Sequence, residues 1–150
     1  MLVKDIMTKE PVTVKPTMEV HELAQLMVDK HISGAPVVDS EGKLLGIVQE
    51  KGVIFQDKKV HLPSFLHIAS GFFTLGVKRF EEEIEKITAN KVSEIMVSDI
   101  ITLSEDMSVE DAATLMIEKG IYYCPVVRDE KLVGILTKRD IVRSIAKESK

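Results

Sequence analysis

Apolar and polar positions alternate along this chain in two rhythms, and each rhythm is written twice. In "MEVHELAQLMVDKHI", Val20, Leu23, Ala24, Met27 and Val28 form a stripe at helical spacing. In "MSVEDAATLMIEKGI", Val109, Ala112, Ala113, Leu115 and Met116 do the same, so both stretches predict amphipathic helices. Ser108 and Asp111 have the spacing of a capping box for the second one. Before these helices lie the β-branched runs "PVTV" and "IITL", which predict short strands. After them, "APVVD" and "LLGIVQ" flank the turn "SEGK", and "CPVVR" and "LVGILT" flank "DEK", so each pair predicts a hairpin. Proline is expected at the start of these strands, where a missing N–H is tolerated. A last helix follows, clearest at "DIVRSIAK", with Ile141, Val142 and Ile145 on one side.

The two halves are copies. Met7 and Met96, Thr13 and Thr102, and Pro36 and Pro125 are each 89 residues apart; after one deletion in the turn, Gly46 and Gly134, and Gln49 and Thr137, are 88 apart. A repeat of this length implies two similar α/β (α+β) units of strand, helix, strand, strand, helix, packed about a pseudo-twofold axis. The first copy covers residues 1–54 and the second 91–150, leaving an insert at 55–90 that is too long for a passive loop. Its "VKRFEEEIEKIT" reads as an acidic amphipathic helix, and "HLPSFLHIASGFFTLG" as an apolar, glycine-punctuated surface that something must cover. An output element responding to a bound ligand is the role expected of it.

Composition narrows the function. The chain has 150 residues, 45% of them hydrophobic, enough for a buried core. A formal net charge of −4 disfavours nucleic acid as a partner. One cysteine allows no internal disulfide, and the start "MLVKDIMTKEP" has no secretory pattern, so a cytoplasmic location is expected. The longest charge-free stretch, Leu62 to Val77, is 16 residues long and broken by Pro and Gly, so no transmembrane span is expected. No nucleophile elbow, Walker loop or "HExxH" is present, and the four His lack metal-site spacing; neither an enzyme nor a metal site is expected. Cys124 reads as a small buried hydrophobe.

The copies differ at one telling place. The second ends "GILTKRD" where the first ends "GIVQEKG". A carboxylate such as Asp140 can accept from both hydroxyls of a ribose, and a hydroxyl at a helix start such as Thr137 can face a phosphate, with Lys138, Arg139 and Arg143 nearby. The same Thr-x-x-Asp spacing is also a capping box that needs no ligand. Tyr122 and Tyr123 can stack on a purine or serve as partial core, where the first copy has Ser33 and Gly34.

"DIM", the Pro-Val-Val hairpin and the Gly-Ile-Leu-Thr-x-x-Asp ending, repeated in tandem, resemble a pair of CBS domains, often termed a Bateman module. The resemblance implies two β-α-β-β-α repeats with clefts for adenosine ligands: AMP, ADP, ATP or S-adenosylmethionine. It assigns Thr137 to phosphate and Asp140 to ribose, with Lys138, Arg139, Ile101, Thr102, Ile121, Tyr122, Tyr123 and Pro125 around them. A degenerate second site would use Thr13, Ser33, Pro36 and Gln49, and His31 would approach the phosphates from the opposite copy. The implied role is an energy- or metabolite-sensing regulatory module, a homodimer that acts on an effector protein; a ligand-free dimerisation module is the alternative.

Overall fold

Each hairpin forms where the paired apolar runs and the turn between them predict it, and the two share one register. The computed structural model describes residues 1–54 and 91–149; the expected insert, with its amphipathic stretch and apolar surface, lies outside the described residues. Strand β2 (Gly34–Val38) pairs antiparallel with β3 (Leu44–Gln49), Pro36 facing Ile47 and Val37 facing Gly46. Strand β5 (Tyr123–Arg128) pairs with β6 (Lys131–Thr137) in the same way, Pro125 facing Ile135 and Val126 facing Gly134. A register shift follows the same valine in both, between Val37 and Val38 and between Val126 and Val127.

The prolines sit inside their strands, third from the start, which corrects the expectation that they begin them. The Pro36 carbonyl accepts from Val14 N–H at 3.0 Å. The N–H that proline lacks would point to that same side, where the neighbouring segment makes only an isolated bridge. The run "PVTV" contributes that single parallel bridge, Val14 to Val37, and "IITL" contributes the two-residue strand β4 (Leu103–Ser104), parallel to Val126–Val127.

Helix α2 (Val20–Lys30) and its counterpart α4 (Val109–Lys119) lie between these strands and the hairpins, each ending on a residue in the left-handed region, His31 (φ 53°) and Gly120 (φ 63°). Ser108 Oγ accepts from Asp111 N at 3.0 Å, the forward half of the expected capping box. The last helix, α5 (Lys138–Glu148), starts from Thr137, and residues 50–54 are helical at the matching place in the first copy.

Each copy's lead-in belongs to the other copy's core. A four-residue helix, α1 (Val3–Ile6), buries Val3 among Leu103, Ala112, Met116, Cys124, Val126 and Leu136. Its counterpart α3 (Val92–Ile95) buries Val92 among Val14, Leu23, Met27, Ala35, Val37 and Val48. Matched backbone bonds anchor both: Val3 N to Met107 O (2.9 Å) and Lys4 N to Glu105 O (3.0 Å), against Val92 N to Met18 O (2.8 Å) and Ser93 N to Pro16 O (3.0 Å). Strand β1 (Thr8–Lys9) then pairs with Ile135 and Gly134 of β6, and Val97 bridges Ile47 of β3. The approach is so close that a Cβ on Gly46 would lie 2.6 Å from Val97 O, and one on Gly134 2.9 Å from Thr8 O. Both positions therefore need glycine.

Ion pairs hold the lead-in outside the core. Lys4 Nζ lies 2.8 Å from Asp106 Oδ1, which lowers the Asp106 pKa below its ordinary value and raises that of Lys4. Arg128 grips both oxygens of Glu105, and that hydrogen bonding lowers the Glu105 pKa.

Candidate ligand-binding site

The hairpin ends and the start of α5 converge on a cleft of about 720 Å³ between the two copies, a volume in the usual range for a small-molecule site. It is lined from the second copy by Tyr122, Tyr123, Ile135, Thr137, Lys138 and Arg139, and from the first by His31, Ile32, Ser33, Gly34 and Gln49. The crossing lead-in adds Thr8, Glu10, Pro11 and Val12. The register explains the meeting: Tyr123 pairs with Thr137 and Gly34 with Gln49, so both open hairpin ends face the same space.

Thr137 serves its helix. Its N–H and its hydroxyl both donate to Asp140 Oδ2 at 2.8 Å, and its Oγ accepts from Asp140 N at 3.4 Å. The reciprocal capping box is complete. Asp140 is only 4% exposed, and its other oxygen, Oδ1, lies 3.6 Å from Arg143 Nη1. Asp140 lines a separate 400 Å³ recess with Asp5, Arg143, Ser144 and Lys147. In this arrangement the cationic chemistry facing the cleft comes from Lys138 and Arg139.

Tyr122 is 56% exposed, and Lys138 Nζ lies 5.5 Å from its ring centroid, a cation–π contact. The Lys138 N–H donates to Tyr122 O at 3.2 Å, as Glu50 N does to Ser33 O at 3.0 Å in the first copy. Tyr123 is half-buried, and burial pushes its phenol pKa upward, keeping it a neutral hydrogen-bonding group.

The cleft therefore gathers Tyr122, Tyr123, Thr137, Lys138 and Arg139 of the expected site together with Ser33 and Gln49 of its expected counterpart. Ile101, Thr102, Ile121, Pro125 and Asp140 do not line it, and neither do Thr13 and Pro36. Pro36 and Pro125 are fully buried, and Ile121 packs on the second core. Sequence reasoning missed Ile32 and Ile135, and also Thr8, Glu10, Pro11 and Val12, which lie where the chain returns from its pairing with β6 to the first copy's own bridge at Val14. The paired glycines Gly46 and Gly134 were the signal of a close crossing. Outside the cleft, Glu19, His21 and Glu22 bring possible metal-ligating atoms within 4.8 Å of one another, all on exposed side chains.

Two β-α-β-β-α units that exchange lead-in segments about a pseudo-twofold axis and share a central cleft define a recognisable class. The CBS domain model matches residues 3–56 and 92–147, and the chain belongs to the CBS domain family. An uncharacterized protein of Methanocaldococcus jannaschii is 34% identical, across 97% of this chain and 91% of its own length. The chloroplastic CBS domain-containing protein CBSX1 of Arabidopsis thaliana is 31% identical over 87% of this chain. The chain spans 57% of that protein, and 22% of an inosine-5′-monophosphate dehydrogenase that is also 31% identical. Among solved structures, CBSX2 of Arabidopsis thaliana in complex with AMP superposes with a TM-score of 0.80 at 27% identity, covering 99% of this chain and 98% of that one. The CBS domain pair of protein MJ0100 in complex with 5-methylthioadenosine and S-adenosyl-L-methionine gives 0.71 at 28% identity, with the same coverage. Among the described residues, no helix is long and apolar enough to cross a membrane.

Proposed function

We propose that this chain is a regulatory, non-catalytic module that binds one adenosine ligand (AMP, ADP, ATP or S-adenosylmethionine) in the central cleft. The observation that carries this reading is the second-copy end of the cleft. There an exposed aromatic face at Tyr122 lies beside the helix start that presents Thr137, Lys138 and Arg139. An aromatic face suits a purine, and a helix start with two cations suits a phosphate. The first-copy end offers Ser33, Gly34 and Gln49 instead, so one tight site per chain is expected. The complexes of two similar CBS pairs with adenosine compounds support the choice of ligand class. Asp140 would contribute by fixing Thr137, and in a bound state by turning its carboxylate to the ribose. A ligand held better by one arrangement of the copies shifts the population toward it, which is how occupancy would reach an effector protein.

A thermal-shift screen with the four ligands tests this directly. At 100 times Kd a bound ligand adds about 2.7 kcal/mol of stability. Asp140→Ala is expected to weaken binding by about 1.5–3 kcal/mol, the scale of hydrogen bonds to a charged group, whereas Gly52→Ala changes it little. Flat melting curves across the panel would instead support the ligand-free dimerisation module.

A further inference from the structure

We propose that the cleft selects phosphate-bearing adenosine ligands over neutral and sulfonium-bearing ones, and that Lys138 sets the selection. This rests on the reading that the cleft takes an adenosine ligand. The chain carries a formal net charge of −4, yet the cleft lining reverses that sign. Lys138 and Arg139 bring two cationic side chains and His31 an imidazole, and among the described residues Glu10 is the one carboxylate in the lining. Glu50 faces the adjoining groove, which Arg139 and His31 also line. A concave site lined by one sign of charge concentrates the field inside it. A phosphate gains from that field, whereas a sulfonium is opposed by it.

Lys138 makes the preference specific. Its ammonium lies over the Tyr122 ring, the face a purine would take. Its backbone N–H is tied to Tyr122 O, so the side chain must move while the two residues stay in register. A base stacking on Tyr122 therefore evicts the ammonium from its cation–π contact. A ligand with a phosphate offers the displaced ammonium a charge-assisted hydrogen bond. Adenosine offers it no anion, and S-adenosylmethionine places a sulfonium where AMP has its 5′-phosphate, with its one carboxylate several bonds further out beside an ammonium. One side chain thus couples occupation of the aromatic face to the presence of phosphate.

The chain has two tyrosines and no tryptophan, and both tyrosines line this cleft, so tyrosine emission reports on the site alone. Calorimetric titrations with AMP, adenosine and S-adenosylmethionine at fixed ionic strength, followed in parallel by that emission, test the proposal on the full chain. AMP is expected to bind about tenfold or more tightly than the other two, with a change in emission at saturation. Lys138→Met, at an exposed position, is expected to lower the AMP-to-adenosine preference about tenfold. Adenosine or S-adenosylmethionine binding as tightly as AMP, or Lys138→Met weakening AMP and adenosine by the same factor, overturns the selection and leaves adenosine binding in place. Binding without a change in emission puts the ligand elsewhere and overturns it too. No binding by any of the three, nor by ADP or ATP, removes both readings.

Discussion

Leu23 and Ala112 occupy the same position in the two copies and differ by most of a side chain, yet both are fully buried. The strands beneath them compensate. Against Leu23 stand Val14, Ala35 and Val48, and against Ala112 the larger Leu103, Cys124 and Leu136. Bulk has moved from helix to sheet while the volume of each core is kept, the kind of change close-packed interiors tolerate. This accounts for Cys124, a filler at Ala35's place whose thiol burial pushes up to about 11, out of the reactive range. Leu23→Ala is expected to cost about 2–5 kcal/mol in urea denaturation, because it leaves a small residue facing small neighbours. Ala112→Leu is expected to cost about 1–3 kcal/mol by overpacking. Equal and slight effects of the two would show that the cores do not compensate as described.

At the level of elements, the repeat and the local chemistry made the helices and hairpins legible. The 3.6-residue stripes, the turn residues and the Thr137 to Asp140 spacing each specify a structure within a few residues. The exchange of lead-ins was not legible, because a burial pattern says that Val3 and Val92 are inside without saying inside which copy. The site was half legible for the same reason. Residues on the hairpin ends and at the start of α5 could be placed by counting along the repeat, whereas Thr8 and Glu10 reach the cleft through the pairing of β1 with the other copy's β6. The capping role of Asp140 was legible from the Thr-x-x-Asp spacing, whereas its burial was not, since the ribose reading needs the carboxylate to point partly outward. The glycines carry the exchange energetically. Gly134→Ala would drive a methyl against Met7 Sδ and Thr8 O, at 2.6 and 2.9 Å. A loss of about 1–3 kcal/mol is expected, as for other forced insertions into packed regions. Hydrogen exchange localises it: protection should fall at Thr8–Lys9 and along β6, while β2 and β3 keep theirs. Uniform loss through both sheets would contradict a local crossing.

For the molecule as a whole, the two helix layers present matching apolar residues to solvent. Val28 (68% exposed) and Ile117 (74% exposed) are counterparts, as are Ile54 and Val142, with Ile145 beside the latter. Paired exposed positions of this kind are what a twofold partner would cover, and we propose that the homodimer implied by the family resemblance forms through them. Ile117→Glu combined with Val142→Glu is expected to give a monomer by light scattering at micromolar concentration, with the melting curve still cooperative; an unchanged mass would place any dimer contact elsewhere. The exchanged lead-ins also set a timetable for synthesis. As the chain leaves the ribosome, the first copy emerges with a hole where Val92 belongs and with Val3 facing no core at all. Its own hairpin and helix are complete, but nothing seals them until the 38 residues from 55 to 92 have also been made. The long-range contacts that close both cores must therefore form late and close together in time, the slow kind of step that high sequence separation imposes. Neither half is a finished object that the other then joins; a ribosome stalled between the copies would hold a chain with its apolar surface still open.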